Sequence, residues 1–315
     1  MIWSVTISRI LHFLSFSTSN YSQIIHAILV FMTRRRRGLK KYWIIIGLAI
    51  IATIVTFIYW PTNEPGVEND NSKLSPSASP SDTKQTAFPL INLQPTVDAW
   101  QAGQNGTSSV VVYDLANNKT VASLNPNRQY FSASVYKLYV AYIGYQKVAD
   151  GTYSADEPYL SGYTRIKCLD AMIRDSYSPC GEKMWNELGK EILTAKLKTY
   201  GLTNTSMTGL YTSAKDAAIV LQRLFERRDL TNAHTNAFLD SLKDQPAKYR
   251  RGLPSGFSQS TVYNKVGWNG LVEWHDTAIV TLPNNRSYVI TVLTESVGSS
   301  QISALGQAIE AHLTQ

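Results

Sequence analysis

The feature of this sequence that most constrains its fold is an uncharged stretch near the N-terminus. Residues 43–60 read WIIIGLAIIATIVTFIYW and contain no charged side chain. A helix of this length is about 27 Å long, which is enough to cross a thin hydrocarbon core. Trp43 and Trp60 stand at its two ends, where aromatic side chains meet the membrane–water interface. The sequence therefore predicts one transmembrane helix over residues 42–60.

The excess of positive over negative charge is confined to this N-terminal region. The chain has 30 Lys and Arg against 23 Asp and Glu, but residues 1–60 hold seven basic residues and no acidic one. The cluster RRRRGLKK at 34–41 directly precedes the apolar stretch, so the positive-inside rule predicts a cytoplasmic segment over 1–41 and an extracytoplasmic body. Residues 61–315 are balanced in charge. A balanced body lacks the basic surface that binds nucleic acid, so we exclude that class of partner.

Two alternatives concern the N-terminus. A cleaved signal peptide competes with the signal anchor, but no A-x-A-like site follows the apolar run, which favours the anchor. Residues 1–31 contain only a short apolar run, IIHAILVF, that cannot span a membrane. Met32 opens MTRRRRGLKKYW, which is itself a normal beginning for a signal anchor. A mis-assigned start before Met32 is therefore a hypothesis.

After the apolar stretch, the chain divides into a linker and one body. Residues 61–89 are rich in Pro, Ser, Asn and Asp and predict a flexible linker. Residues 90–315 are long enough for one substantial core. The apolar pattern predicts a helix, a hairpin, a helical middle, three strands and a last helix, which is an α+β fold with one mostly antiparallel sheet. The helices are predicted at 96–104, 134–147, 166–175, 181–188, 213–227 and 301–313, and the strands at 109–115, 120–124, 261–266, 273–282 and 287–295.

One helix carries a serine and a lysine in a spacing that suits nucleophilic catalysis. Lys137 is the only charged residue in QYFSASVYKLYVAYIGYQ, and burying a lysine requires a lowered pKa or a specific partner. Ser134 lies three residues earlier on the same helix face, where the lysine can take its proton. The alternative is an N-cap serine and a lysine whose ammonium reaches solvent. Ser81-Asp82-Thr83-Lys84 in the linker matches S-x-x-K too, so the motif alone decides nothing.

Two further motifs follow in the body. Ser176-Tyr177-Ser178 and Lys265-Val266-Gly267 together with Ser134 and Lys137 resemble the S-x-x-K, S-x-N and K-[TS]-G motifs of class A β-lactamases and penicillin-binding proteins. AMIRDSYSPCGEKMWNELG and RRGLPSGF, which flank the second and third motifs, are similar to the family's segments at those places. The resemblance covers about residues 90–315. It implies a β-lactamase/transpeptidase-like α+β fold, an antiparallel sheet flanked by terminal helices with an all-helical insertion.

The resemblance also implies roles for particular residues. Ser134 would be acylated, Lys137 would be its base or proton relay, and Ser176 would pass a proton to the leaving nitrogen. Lys265 would hold the substrate carboxylate, and the backbone N–H groups of Ser134 and Trp268 would form the oxyanion hole. Ser178 and Gly267 would contact substrate. Arg250 would be a further carboxylate anchor, unless it is a surface arginine beside Arg251.

Three departures from the family pattern bear on activity. Ser178 replaces the Asn of the second motif, and Val266 replaces the hydroxyl residue of the third, so each position lacks a hydrogen bond to substrate that is typically worth about 1–3 kcal/mol. Class A β-lactamases use a Glu on a loop after the second motif to activate the deacylating water. Residues 192–215 contain no Asp or Glu, and we predict a shortened loop there. A long-lived acyl-enzyme is therefore expected.

The remaining chemistry-bearing residues are few. Cys168 and Cys180 bracket Ser176 on the predicted outer face, which predicts a disulfide; two free thiols are the alternative. The five histidines are scattered, and His275 is most simply a strand residue, so we expect neither a metal nor a cofactor. The sequence thus predicts a single-pass membrane protein whose outer domain acylates Ser134 with β-lactams or D-Ala-D-Ala-like stem peptides of the cell wall. The alternative is a non-catalytic cell-envelope binding module on the same fold.

Overall fold

A computed structural model describes residues 89–314. The predicted basic segment, the predicted membrane helix and all but the last residue of the predicted linker lie outside the described residues, so those boundaries stay predictions. Within residues 89–314, none of the helices has the length and apolar character needed to cross a bilayer.

The described residues are built on a five-stranded antiparallel sheet with the strand order β2-β1-β9-β8-β7. The chain first forms a hairpin, then a long helical region, and finally three consecutive strands. The last of these, β9, pairs with β1 along the full length of β1. This is the α+β architecture that the sequence predicts. The strands are β1 (Thr107–Asp114), β2 (Lys119–Leu124), β7 (Thr261–Trp268), β8 (Trp274–Thr281) and β9 (Ser287–Glu295).

Both faces of the sheet are covered, and this is why its strands are apolar almost throughout. Val110 and Val112 of β1 point to one face, whereas Val111 between them points to the other, as the two-residue period of a strand requires. The terminal helices α1 (Gln94–Ala102) and α9 (Ser299–Leu313) cover the first face. The helical region covers the second.

The helical region lies between β2 and β7 in sequence. It contains two small two-stranded sheets, β3 (Tyr130–Phe131) with β6 (Tyr211–Thr212), and β4 (Pro158–Leu160) with β5 (Tyr163–Thr164). A 3-10 helix at Ala133–Val135 leads into α2. A second 3-10 helix spans Ala247–Tyr249. The α-helices of this region are α2 (Tyr136–Ala149), α3 (Arg165–Arg174), α4 (Ser178–Leu188), α5 (Lys190–Thr199), α6 (Ala214–Phe225), α7 (Asn232–Lys243) and α8 (Leu253–Gly256).

Helix α5 corrects the expectation of a loop over residues 192–215. The first eight residues of that range are helical, and Leu193 and Leu197 are its buried side chains. Gly189, with a φ of 79° in the left-handed region, ends α4 and separates it from α5. Two leucines four residues apart, among two lysines and two threonines, are too few apolar positions to distinguish a helix from a loop by periodicity.

Helix α7 is also absent from the sequence prediction. Its start carries a readable signal, because the Thr231 side chain accepts a hydrogen bond from the backbone N–H of His234 at 3.1 Å. Its buried face includes Phe238 and Leu242, which are four residues apart. The predicted positions of the remaining helices and strands are recovered with shifts of at most three residues at their ends, and the strand predicted at 287–295 is recovered without a shift.

A disulfide joins Cys168 on α3 to Cys180 on α4, with the two Cα atoms 5.2 Å apart. Both sulfur-bearing side chains are completely buried. The bond crosses the turn that carries Ser176, because α3 ends at Arg174 and α4 begins at Ser178. The second motif is therefore held between two helices that are covalently linked.

Replacing both cysteines by serine should lower the free energy of unfolding of the full-length chain by about 3 kcal/mol, the usual effect of opening a short disulfide loop. Urea denaturation of the variant and of the oxidised parent measures the difference. Adding reductant to the parent should reproduce the loss. Equal stability of the oxidised and reduced parent would contradict a stabilising role for this bond.

Candidate active site

The predicted nucleophile lies at a break in the backbone and not inside a regular helix. Ser134 is the middle residue of the 3-10 helix Ala133–Val135, and Ala133 has a φ of 42°, in the left-handed region. Strain of this kind typically costs about 1–3 kcal/mol and is concentrated at functional sites. The sequence pattern predicted a helix that begins at Ser134, whereas the α-helical turn begins only at Tyr136.

Lys137 is buried on the first turn of α2, and its ammonium is surrounded by oxygen atoms. Lys137 Nζ donates to Ser134 Oγ at 3.1 Å, to Ser178 Oγ at 3.0 Å and to the backbone carbonyl of Ser176 at 2.6 Å. Its side chain is 1% exposed. The alternative of a lysine that reaches solvent is therefore wrong. Burial lowers the pKa of Lys137 to about 8, although the negative charge of Glu182 acts in the opposite direction.

Ser176 connects the first motif to the third. Its hydroxyl accepts from Lys265 Nζ at 3.0 Å and lies 3.4 Å from Lys137 Nζ. Lys265 is completely buried on β7, and its second acceptor is the carbonyl of Val266. Burial and the positive charge of Lys137 lower the pKa of Lys265. The two lysines and Ser176 form a continuous route along which a proton can move.

A buried carboxyl group on the next strand acts on Lys265 through its charge. Asp276 lies on β8 and accepts from Asn264 Nδ2 at 2.9 Å and from the backbone N–H of Leu253 at 2.8 Å. Burial raises the pKa of Asp276 to about 7, while these hydrogen bonds and the charge of Lys265 oppose the shift. Asp276 was not among the predicted site residues. The available signal was the single acidic residue in the strand WHDTAIVT.

Gly267 allows the third motif to lie directly against the nucleophile's segment. A Cβ atom at this position would lie 2.8 Å from the carbonyl oxygen of Ser132 and 2.8 Å from Val135 Cγ2. No side chain fits in that space. The glycine therefore brings β7 to Ser134.

The motifs open into a cavity of about 390 Å³. Ser134 and Ser178 lie on its wall, together with Trp268 at the end of β7, whose side chain is 53% exposed. Three more aromatic residues line it, namely Phe131, Tyr136 and Trp185. The cavity is therefore a site for a partly apolar ligand beside the serine hydroxyl.

The cavity also contains polar residues that the sequence analysis did not single out. Glu182, Trp185 and Asn186 follow the second motif on one face of α4, and Lys190 begins α5. The spacing from Ser178 to Glu182 and on to Asn186 is four residues, which places all three on one side of a helix. That periodicity was the signal in the sequence.

Arg250 is not brought to the cavity. Its guanidinium donates to the backbone carbonyls of Lys243 and Val262, at 2.7 and 3.2 Å, and lies against Asn264 Oδ1. These contacts direct the donors of its guanidinium to backbone carbonyls. The prediction that Arg250 binds a substrate carboxylate is therefore wrong, and Arg250 instead supports the start of β7. Arg250 is half-buried, so the alternative of a simple surface arginine does not describe it either.

His275 lies on strand β8, as expected, and is buried. Its Nδ1 accepts from the backbone N–H of Thr294 at 3.0 Å, and its Nε2 faces the carbonyl of Phe131 at 2.8 Å. This arrangement is that of a neutral imidazole, and burial lowers the pKa of the ring. In the part of the chain that the structure describes, no group of three or more His, Cys, Asp or Glu side chains is placed to hold a metal ion.

The family model described as "Beta-lactamase enzyme family" matches residues 92–313. Among solved structures, that of PBP-A superposes with a TM-score of 0.65 at 19% identity, covering 72% of this chain and 97% of that one. A β-lactamase from Chitinophaga pinensis gives a TM-score of 0.64 at 16% identity, with 70% and 98% covered. A PBP-A variant solved as an acyl-enzyme complex with penicillin G gives 0.64 at 19%, with 72% and 98% covered. No curated protein matches the chain.

The substitution Gly267→Ala should damage both stability and the site, because the added methyl group overlaps Ser132 and Val135. We expect a loss of about 1–3 kcal/mol in the free energy of unfolding, measured by chemical denaturation. Gly103→Ala is the matched control, since a Cβ there would have only an ordinary contact of 3.6 Å with the carbonyl of Trp100. Equal effects of the two substitutions would contradict this account of Gly267.

Proposed function

The chain belongs to the beta-lactamase enzyme family, and we propose that it is a serine acyltransferase that forms an acyl-enzyme on Ser134. The substrates are β-lactams or D-Ala-D-Ala-like peptides of the cell wall. The observation that carries the proposal is the position of Lys137 Nζ, 3.1 Å from Ser134 Oγ in a buried site with a lowered pKa. A buried amine that is easily deprotonated is the base that a serine nucleophile needs.

Acylation begins when neutral Lys137 takes the proton of Ser134. The Ser134 oxygen attacks the carbonyl carbon of the substrate amide, and the backbone N–H groups of Ser134 and Trp268 bind the developing oxyanion. When the C–N bond breaks, Ser176 gives its proton to the leaving nitrogen and receives one from Lys137, which returns to the neutral state. Lys265, whose Nζ lies 3.0 Å from Ser176 Oγ, is the group that holds the substrate carboxylate in this proposal.

Both departures in the motifs weaken substrate binding in this proposal. Ser178 Oγ accepts from Lys137 Nζ at 3.0 Å and has no amide group to offer a substrate. Val266 is 3% exposed and offers only its backbone. Gly267 and Trp268 remain to contact the ligand through main-chain groups. We therefore expect acylation that is slower than in a sequence with all three motifs intact.

We further propose that the acyl-enzyme is long-lived. Residues 192–215 supply no carboxylate to activate a deacylating water. The chain would then behave more like a penicillin-binding peptidase or an acyl trap than an efficient β-lactamase.

The location of this domain relative to the membrane is also part of the proposal. The apolar stretch at residues 42–60 and the basic cluster before it support a single membrane anchor with the body on the outer face. The buried Cys168–Cys180 bond suits an oxidising compartment. Fractionation of cells and protease accessibility of the body test this placement.

Incubation with a labelled penicillin should add one covalent acyl group to Ser134, detected by peptide mass spectrometry. Ser134→Ala should abolish the adduct, and an adduct on Ser178, whose hydroxyl lies 3.0 Å from Lys137 Nζ, would contradict Ser134 as the nucleophile. After removal of free drug, the adduct should persist for many minutes. Failure of several β-lactams to label the folded chain would favour the non-catalytic binding module.

The rate of acylation should rise with pH up to about 8 and then level off. The lowered pKa of Lys137 means that the amine is protonated and unable to act as a base below about 8, and becomes neutral above it. Measuring labelling rates from pH 6 to pH 9, a range of about three units around this value, defines the profile. A rate that is flat across this range would contradict Lys137 as the base.

A further inference from the structure

Helix α4 places a carboxylate in the cavity, although residues 192–215 provide none. Glu182 lies six residues after Ser176 and lines the same cavity as Ser134 and Ser178. Among the described residues that line this cavity, Glu182 has the only carboxyl group. A carboxylate therefore lines the cavity of the nucleophile, but it comes from α4 and not from residues 192–215.

The carboxylate of Glu182 is not committed to other protein groups. It is exposed and makes no hydrogen bond or ion pair with any side chain or backbone group of residues 89–314. Glu187 on the same helix is different, because it accepts two hydrogen bonds from Arg165, at 2.8 and 2.9 Å, and one from Tyr159. The oxygens of Glu182 are thus available to a water molecule or a ligand.

Close packing brings this part of α4 onto the catalytic lysine. A Cβ atom on Gly181 would lie 3.1 Å from Lys137 Cε and 3.0 Å from Tyr136 Oη, so the helix backbone rests directly on the Lys137 side chain. The Cys168–Cys180 bond fixes α4 at the preceding residue. As a result, the charge of Glu182 acts on Lys137.

The ionisable groups that face Glu182 come from two elements. Tyr136 and Lys137 face it from α2, and Lys190 lines the same cavity from α5. The ammonium of Lys190 lies over the ring of Trp185, 4.0 Å from its centroid, and has no hydrogen bond to Glu182. Among the described residues, no Lys or Arg side chain therefore forms an ion pair with the Glu182 carboxylate.

We propose that Glu182 is the general base for the slow hydrolysis that ends the long-lived acyl-enzyme. This inference rests on the proposed acylation of Ser134. A substrate held along β7 near Lys265 and Trp268 leaves the α4 wall of the cavity open to water. Water bound by Glu182 then attacks the ester from that wall.

The step is balanced within the site. The Glu182 carboxylate removes a proton from water, and the water oxygen bonds to the ester carbonyl carbon. Collapse of the tetrahedral intermediate breaks the bond between that carbon and Ser134 Oγ. The serine oxygen takes up a proton from the Lys137–Ser176 route, and Glu182 returns its own proton to that route through water. The products are a carboxylic acid and free Ser134.

The test separates acylation from deacylation in the full-length chain. The enzyme is labelled with a fluorescent penicillin, free drug is removed, and the decay of the Ser134 adduct is followed by mass spectrometry. Glu182→Gln keeps the side-chain size and removes the base. Glu191→Gln is the matched control, because Glu191 is exposed on α5 outside the cavity.

We expect the adduct of Glu182→Gln to decay roughly 100-fold more slowly than that of the parent and of Glu191→Gln. Acylation should be unchanged or faster near neutral pH, because removing the negative charge lowers the pKa of Lys137 further. Glu182→Asp should decay at an intermediate rate.

Three results would overturn the inference in distinguishable ways. Equal decay of the parent and Glu182→Gln adducts, with acylation intact, would refute the role of Glu182 and leave the proposed function standing. Failure of the parent chain itself to be acylated would refute the proposed function and this inference with it. Parallel loss of both rates in Glu182→Gln would indicate a structural role and would also refute the inference.

Discussion

The burial of one ammonium group is the interaction on which the site depends. Lys137 is almost completely buried, and its ammonium is stabilised in that position by the oxygens of Ser134, Ser176 and Ser178. Desolvation disfavours its charge, so the same burial that requires these partners also makes the lysine a base near neutral pH. The burial of Lys137 therefore explains both its hydrogen-bond partners and its ability to act as a base.

The rest of the fold keeps these partners in place. The second motif lies in the turn between α3 and α4, which the Cys168–Cys180 bond links. The third motif is carried on the edge strand β7, and Gly267 lets that strand approach the 3-10 helix of the nucleophile. A sheet covered on both faces provides a rigid support for the strand. Three segments that are far apart in sequence thus meet at Ser176.

Much of this arrangement follows from the sequence. A lone lysine in an aromatic helix indicated burial, and the order of the three motifs indicated which residues would meet it. The two-residue and 3.6-residue periods located the sheet strands and most helices. Arg250 shows the limit of this reasoning, because a motif position does not reveal whether a guanidinium faces a ligand or its own backbone. Glu182 shows the same limit, because the family pattern places the acid on a loop after the second motif, whereas Glu182 lies on α4.

The sequence by itself determined the α+β class, the pairing of Ser134 with Lys137 and the charge asymmetry of the N-terminal segment, because each depends on local spacing or composition. Only the tertiary structure decided that Ser176 lies between two lysines, that the charge of Asp276 acts on one of them and that Glu182 lines the cavity. These contacts join residues up to 89 positions apart. Their distances are set by how helices and strands pack, and local periodicity carries no information about that packing.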